Sequence, residues 1–143
     1  MNRSPDILGT HKDVVRRVYA EVWTQADFSN VGDLISPQMV YHIRGHSIEM
    51  GPADLVEIVS RWKSAFPDIR FEVEALIAEG DIVAARILYT GTQRGEWKRI
   101  PPTGKQITVR EMMFFRFEDE RIVEAWEVTD EFSQREQLLA DND

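Results

Sequence analysis

From Val14 to Val22 the apolar residues Val14, Val15, Val18, Tyr19 and Val22 recur three and four positions apart. That is the spacing of a helix burying one face. Thr10, with Asp13 three residues on, resembles a capping box and predicts a first helix ending near Trp23, with residues 1–9 frayed. A second short helix is predicted over 28–35, stopped by Ser36-Pro37, and a strand over 39–43 places Val40 and His42 on one face. Arg44-Gly45-His46 turns the chain. Gly51-Pro52 then opens a third helix whose stripe is Leu55, Ile58, Val59, Trp62 and Phe66, with Pro67 as its stop. Beyond it the period becomes two. Residues 69–78 put Ile69, Phe71, Val73, Ala75 and Ile77 on one face, Glu79-Gly80-Asp81 signals a hairpin, and 82–90 return. A turn-rich loop over 91–105 carries Trp97. A strand over 107–117, another over 121–130 and a last helix over 132–140 complete the pattern.

Helices first and an antiparallel meander afterwards predict an α+β fold, with the N-terminal helices packed on one side of a curved sheet. Helices over a concave sheet leave a pocket. In 107–117, Ile107, Val109, Glu111, Met113, Phe115 and Phe117 share a face, so Glu111 stands alone among apolar groups. The opposite face carries Met112 and Phe114 between Arg110 and Arg116, and a sheet apolar on both sides predicts a homodimer through its outer face. In 121–130, strict alternation puts Ile122, Glu124, Trp126, Val128 and Asp130 together. If that face looks inward, Asp130 is a desolvated acid suited to act as general base. The alternative is that Asp130 ends the strand and caps the following helix. Arg86 is placed as the cross-strand partner of Glu111 or Glu124.

A length of 143 residues fits one domain spanning 1–143. The formal net charge of −8 argues against a nucleic-acid partner. With no cysteine, thiolate catalysis and cysteine metal sites are excluded. No signal-like or membrane-length apolar run is present, which predicts a soluble cytoplasmic protein without a membrane partner. His42 and His46 lie across a turn and lack a third ligand, so no metal site is expected. Tyr19, Trp62, Trp97 and Trp126 are candidates to line a pocket for a flat hydrophobic ligand.

Several pieces carry a resemblance: Trp-Lys-Ser-Ala-Phe-Pro-Asp at 62–68, Glu79-Gly80-Asp81, Gly-Thr-Gln-Arg-Gly at 91–95, and Pro-Pro-Thr-Gly-Lys at 101–105. Phe115-Arg116-Phe117 and the run from Ile122 to Asp130 with Gln137-Leu138 complete it. In this order and spacing, over about residues 10 to 140, the chain resembles the SnoaL-like polyketide cyclases of the nuclear-transport-factor-2-like (cystatin-like) superfamily. The resemblance implies a cone-shaped α+β barrel, a homodimer, and neither metal nor cofactor. It implies Asp130 as the general base that deprotonates a carbon between carbonyls, after which the carbanion attacks an aldehyde or ketone of the same molecule. His42 falls where many relatives carry histidine. Gln93, Ala125 and Met113 depart from the family pattern, the first two where histidine is common and the third where a polar residue is.

The expected function is a cofactor-independent acid–base enzyme, an aldol-type cyclase or an isomerase, acting on a small hydrophobic carbonyl compound. Asp130 and His42 are its expected catalytic residues. Tyr19, Trp62, Arg86, Trp97, Glu111, Met113 and Trp126 are its expected ligand contacts. In an isomerase, Tyr19, Tyr89 or Glu111 would supply the oxyanion donor. The alternative function is a non-catalytic small-molecule-binding or dimerisation module of the same fold.

Overall fold

Among the described residues the first hydrogen bond is a cap. Asp6 accepts from the Gly9 N–H at 3.1 Å and starts helix α1 (Ile7–Arg17), so the cap is Asp6 rather than Thr10. The structure, a computed structural model, describes residues 6–141. The expected fraying of 1–9 therefore falls partly outside the described residues, while Ile7 to Gly9 are helical. Past Arg17 the chain continues as a π-helix (Val18–Thr24), closed by Gln25 N–H bonding the Ala20 carbonyl, five residues back, at 3.2 Å. Such wide turns are rare and tend to sit at functional sites. This one carries Tyr19 and Trp23 to the inside of the fold.

Helix α2 (Val31–Leu34) is shorter than predicted because strand β1 (Ile35–Ile43) begins earlier. β1 tolerates Pro37 because its pairing with the neighbouring strand is interrupted between Ile35 and Val40. Arg44 and Gly45 have φ of 52° and 75°, the left-handed pair of a two-residue hairpin turn. The turn leads into β2 (His46–Glu49), a strand the pattern did not reveal because every residue of it is exposed. Helix α3 (Pro52–Ala65) starts as predicted, with the Asp54 carboxylate accepting from Gly51 N–H at 3.1 Å. Then come β3 (Arg70–Glu79), β4 (Ile82–Thr92), β5 (Gln106–Glu118), β6 (Arg121–Thr129) and helix α4 (Glu131–Leu139).

The six strands form one sheet in the order β2-β1-β6-β5-β4-β3, antiparallel except for β1 beside β6. The core lies between its concave face and the helices, where Val15, Val59, Phe66, Ile87 and Ile107 are fully buried. Burying each such side chain is worth about 1.5–3 kcal/mol.

Two strands change face midway. In β3, Val73 pairs with Ile87 and Ala75 with Arg86, so Glu74 is an extra, bulged residue. In β6, Glu124 pairs with Arg116 and Ile122 with Phe117, so Val123 is extra. One inserted residue exchanges the two faces from there on. Ile77, expected inside, is 70% exposed. In β6, Ala125, Glu127 and Thr129 point inward and Glu124, Trp126 and Val128 outward, the reverse of the strict alternation.

Candidate active site

A cavity of about 640 Å³ opens between the concave sheet face and the helices. One wall is aromatic. Trp62 of α3 lies 4.2 Å from Trp97, 5.4 Å from Tyr89 and 6.2 Å from Phe71, ring centre to ring centre. Edge and tilted contacts of this kind suit ring quadrupoles. Trp97 comes from the 93–105 loop, which docks on the end of α3 through Arg94 and Gly95 N–H groups donating to the Ala65 carbonyl at 2.7 and 3.1 Å. A Cβ on Gly95 would stand 2.6 Å from the Ser64 carbonyl oxygen, so only glycine permits this approach. Gln93, fully buried, ties the loop together. Its amide donates to Gly95 and Ile100 carbonyls at 3.0 and 2.9 Å, and its oxygen accepts from Thr103 N–H and hydroxyl at 3.1 and 2.7 Å.

The other end of the cavity is acidic. Glu111 of β5 and Glu127 of β6 are diagonal neighbours, since Glu111 pairs with Thr129 and Glu127 with Met113. Glu111 is 7% exposed and accepts from the Tyr19 hydroxyl at 3.4 Å. Glu127 accepts from the Tyr41 hydroxyl. Burial pushes the Glu111 carboxyl well above the usual carboxylate range, and repulsion from Glu127 adds to it. Burial also raises Glu127; the Tyr41 hydrogen bond acts against it, Glu131 adds repulsion, and the charges of Arg44 and Lys98 act the other way. Burial raises Tyr19 and Tyr41 as well, so both phenols stay protonated donors. Behind the acids, Gln134 (3% exposed) accepts from Trp97 Nε1 at 2.9 Å and donates to the Tyr89 hydroxyl at 2.9 Å, which in turn bonds Thr129 Oγ1 at 3.1 Å. At the mouth, Glu131 takes both Arg44 and, at 3.1 Å, Lys98.

The sequence-predicted residues are divided by this geometry. Trp62, Trp97 and Glu111 line the cavity. Tyr19 and Met113 are buried, Tyr19 behind Glu111 and Met113 on the inner face of β5. Asp130 does not line it: it is exposed and accepts from Ser133 N–H at 3.1 Å as the cap of α4, which corrects its expected position as an enclosed acid. Arg86 is on the outer face, 3.3 Å from Glu74, and pairs with neither Glu111 nor Glu124. Glu74 also binds Arg110 at 2.9 Å. Trp126 and His42 are likewise outside, stacked at 5.2 Å, with His42 Nε2 2.6 Å from Glu124. The residues missed are Glu127, Tyr41 and Gln134. Glu127 was readable only with knowledge of the bulge; Tyr41 was readable from its place next to His42, on the opposite face of β1. Among the described residues no group of three or more His, Cys, Asp or Glu is arranged to hold a metal ion. No described helix is long and apolar enough to cross a membrane.

The family model described as SnoaL-like polyketide cyclase matches residues 13–138. Among solved structures, AclR of Streptomyces galilaeus, a proposed hydroxylase, is 29% identical with a TM-score of 0.82, over 95% of this chain and 85% of its own. IdmH of Streptomyces antibioticus, a proposed polyketide cyclase, is 26% identical with a TM-score of 0.78, over 90% and 97%. A proposed SnoaL-like polyketide cyclase from Jannaschia sp. CCS1 superposes over 99% of both chains with a TM-score of 0.83; at 24% identity it speaks for the fold alone. No curated protein matches.

Proposed function

The chain belongs to the SnoaL-like polyketide cyclase family, and from that premise we propose that it is a cofactor-independent acid–base enzyme acting on a hydrophobic carbonyl compound held against the aromatic wall. The observation that carries this reading is a pair of inward carboxyls on neighbouring strands in one cavity, Glu111 and Glu127, both raised by burial but set in unlike surroundings. Paired acids of unequal affinity divide into a donor and an acceptor. Glu111, more deeply buried, keeps its proton. Glu127, nearer Arg44 and Lys98, ionises first and takes the role that sequence reading gave Asp130.

In this proposal Glu127 removes a proton from a carbon between two carbonyls. The charge passes to a carbonyl oxygen, which accepts a hydrogen bond from the neutral Glu111 carboxyl. The carbanion then forms a C–C bond to an aldehyde or ketone carbon of the same molecule, and the resulting alkoxide recovers the proton from Glu127. A positioned base of this kind is worth about 10² to 10⁴-fold, and holding the chain folded against the aromatic wall supplies much of the rest. Isomerisation would use the same first step and return the proton elsewhere.

The test needs no knowledge of the natural substrate. An aryl 1,3-diketone in heavy water should lose its central C–H signal faster with the protein than without it, and Glu127→Gln should remove the acceleration. Quenching of tryptophan fluorescence reports binding separately, since Trp23, Trp62 and Trp97 line the cavity. Binding without exchange in the wild type would instead favour the non-catalytic binding module.

The same reading includes a homodimer through the outer sheet face, centred on β3 to β5. Ile77, Met112 and Phe114 are 70%, 53% and 54% exposed there, between arginine–glutamate pairs. Sedimentation should give the mass of two chains.

A further inference from the structure

A second group of reactive side chains lies outside the cavity, at the opposite edge of the sheet from β3. The two-residue turn at Arg44-Gly45 sets Ile43 opposite His46 and His42 opposite Ser47. Met50 N–H bonds the Met39 carbonyl at 2.8 Å, so every second pair from there is hydrogen-bonded and His42–Ser47 is a non-hydrogen-bonded pair. Side chains of such pairs approach closely, and His42 Nδ1 lies 2.8 Å from Ser47 Oγ. On its other side β1 sets His42 opposite Trp126, whose ring stacks on the imidazole at 17° between planes. Glu124, two residues earlier and on the same outward face, lies 2.6 Å from His42 Nε2. Three strands thus deliver serine, histidine and glutamate in one line, beside a shallow cavity of about 510 Å³ lined by His42, Ser47, Trp126 and Val128.

The protons follow from the partners. Hydrogen bonds from His42 and Arg116 hold Glu124 below the usual carboxylate range, so it is an acceptor near neutral pH. His42 then carries its proton on Nε2 and offers Nδ1 as acceptor to the Ser47 hydroxyl. The order nucleophile, base, orienting acid is that of a serine hydrolase triad, with the two ring nitrogens exchanged. By the pairing parity above, the Ser47 N–H points away from β1 at the free edge of the sheet and is available to an oxyanion beside its own hydroxyl.

We propose that Ser47, His42 and Glu124 form a second, esterolytic site on the outer face, taking esters with an apolar acyl group. Ser47 Oγ adds to the ester carbonyl while its proton passes to His42 Nδ1. The bond to the alcohol breaks, that proton goes to the leaving oxygen, and the acyl group remains on Ser47. Water adds next, giving a proton to His42; the C–Oγ bond breaks, and the proton returns to Ser47. The net change is ester and water to acid and alcohol.

The probe is an alkyl fluorophosphonate, which forms an O–P bond with an activated serine and releases fluoride. Peptide mass spectrometry should find the adduct on Ser47 in the wild type. Ser47→Ala should show none, and His42→Gln and Glu124→Gln should label at least about 10²-fold more slowly. Ser60→Ala, which removes a hydroxyl bonded to its own helix backbone, should label like the wild type. p-Nitrophenyl acetate should give a burst of one equivalent of nitrophenolate, lost in Ser47→Ala. A wild type without adduct on Ser47, or with labelling indifferent to His42→Gln, overturns the proposal. Because the adduct is mapped in the wild type, a variant that misfolds does not obscure the result.

Discussion

The inner and outer faces of the sheet treat glutamate in opposite ways. Inside, Glu111 and Glu127 meet tyrosine hydroxyls and aromatic walls, and both are raised by burial. Outside, Glu74 meets Arg110 and Arg86, Glu124 meets His42 and Arg116, and both are lowered by those hydrogen bonds. β6 carries one acid of each kind, Glu127 inside and Glu124 outside, so the strand itself does not make the difference. What differs is burial first and the partner second: inside, desolvation outweighs the phenol hydrogen bonds, whereas outside the carboxyls stay near water and a guanidinium or imidazole offsets their charge. Carboxyls buried against phenols hold their protons, and carboxyls exposed beside guanidinium groups form ion pairs.

The strongest way to break the comparison is to neutralise one acid per face. Glu127→Gln should lower diketone proton exchange by 10²-fold or more, whereas Glu74→Gln should leave it within twofold. Equal losses would mean that the two faces are not chemically distinct. Next in size is the outer apolar patch. Phe114→Asp puts a charge where a second chain is proposed to sit, and should convert a two-chain sedimentation mass to one-chain without loss of helix or sheet signal.

A smaller effect sharpens the sign. A carboxyl raised in the folded chain costs stability once pH passes the ordinary value of 4.5, and the cost stops growing above its raised value. A lowered carboxyl contributes stability above 4.5 and loses it as pH falls through the folded value. Melting temperature should therefore fall on both sides, on the alkaline side because of Glu111 and Glu127 and on the acid side because of Glu74 and Glu124. In Glu111→Gln the alkaline fall should be shallower while the acid limb is unchanged. Smallest of all, Glu74→Gln should alter stability only slightly and only at low salt, since exposed pairs are screened.

Much of the architecture was legible in the chain. Helix α3 between Pro52 and Pro67, the hairpin at Gly80 and the alternation of β5 follow from proline, glycine and a clean period of two. Glu111 was readable for the same reason: β5 runs without a bulge, so its phase holds from Ile107 to Phe117. β6 has no such continuity. Val123 is an ordinary strand residue in an ordinary strand pattern, and nothing local says that it will be left unpaired; the pairing with β5 reveals it. The inward acid therefore moved from the Glu124–Asp130 set to Glu127. Asp130 had a second role written beside it in Ser133 and the helix that follows, and that role prevails. β2 was missed because a strand exposed along its whole length has no apolar half to alternate.

The wide helical turn over Val18–Thr24 has a consequence for how this cavity can change. An α-helix advances about 100° per residue, and a wide turn amounts to one residue inserted into a narrower pitch. Removing one residue between Tyr19 and Trp23 would therefore return the segment to the α pitch and leave Trp23 close to its place on the aromatic wall, with Tyr19 still bonded to Glu111. The helix can thus take up or shed one residue within this turn while the wall and the acids it faces stay where they are.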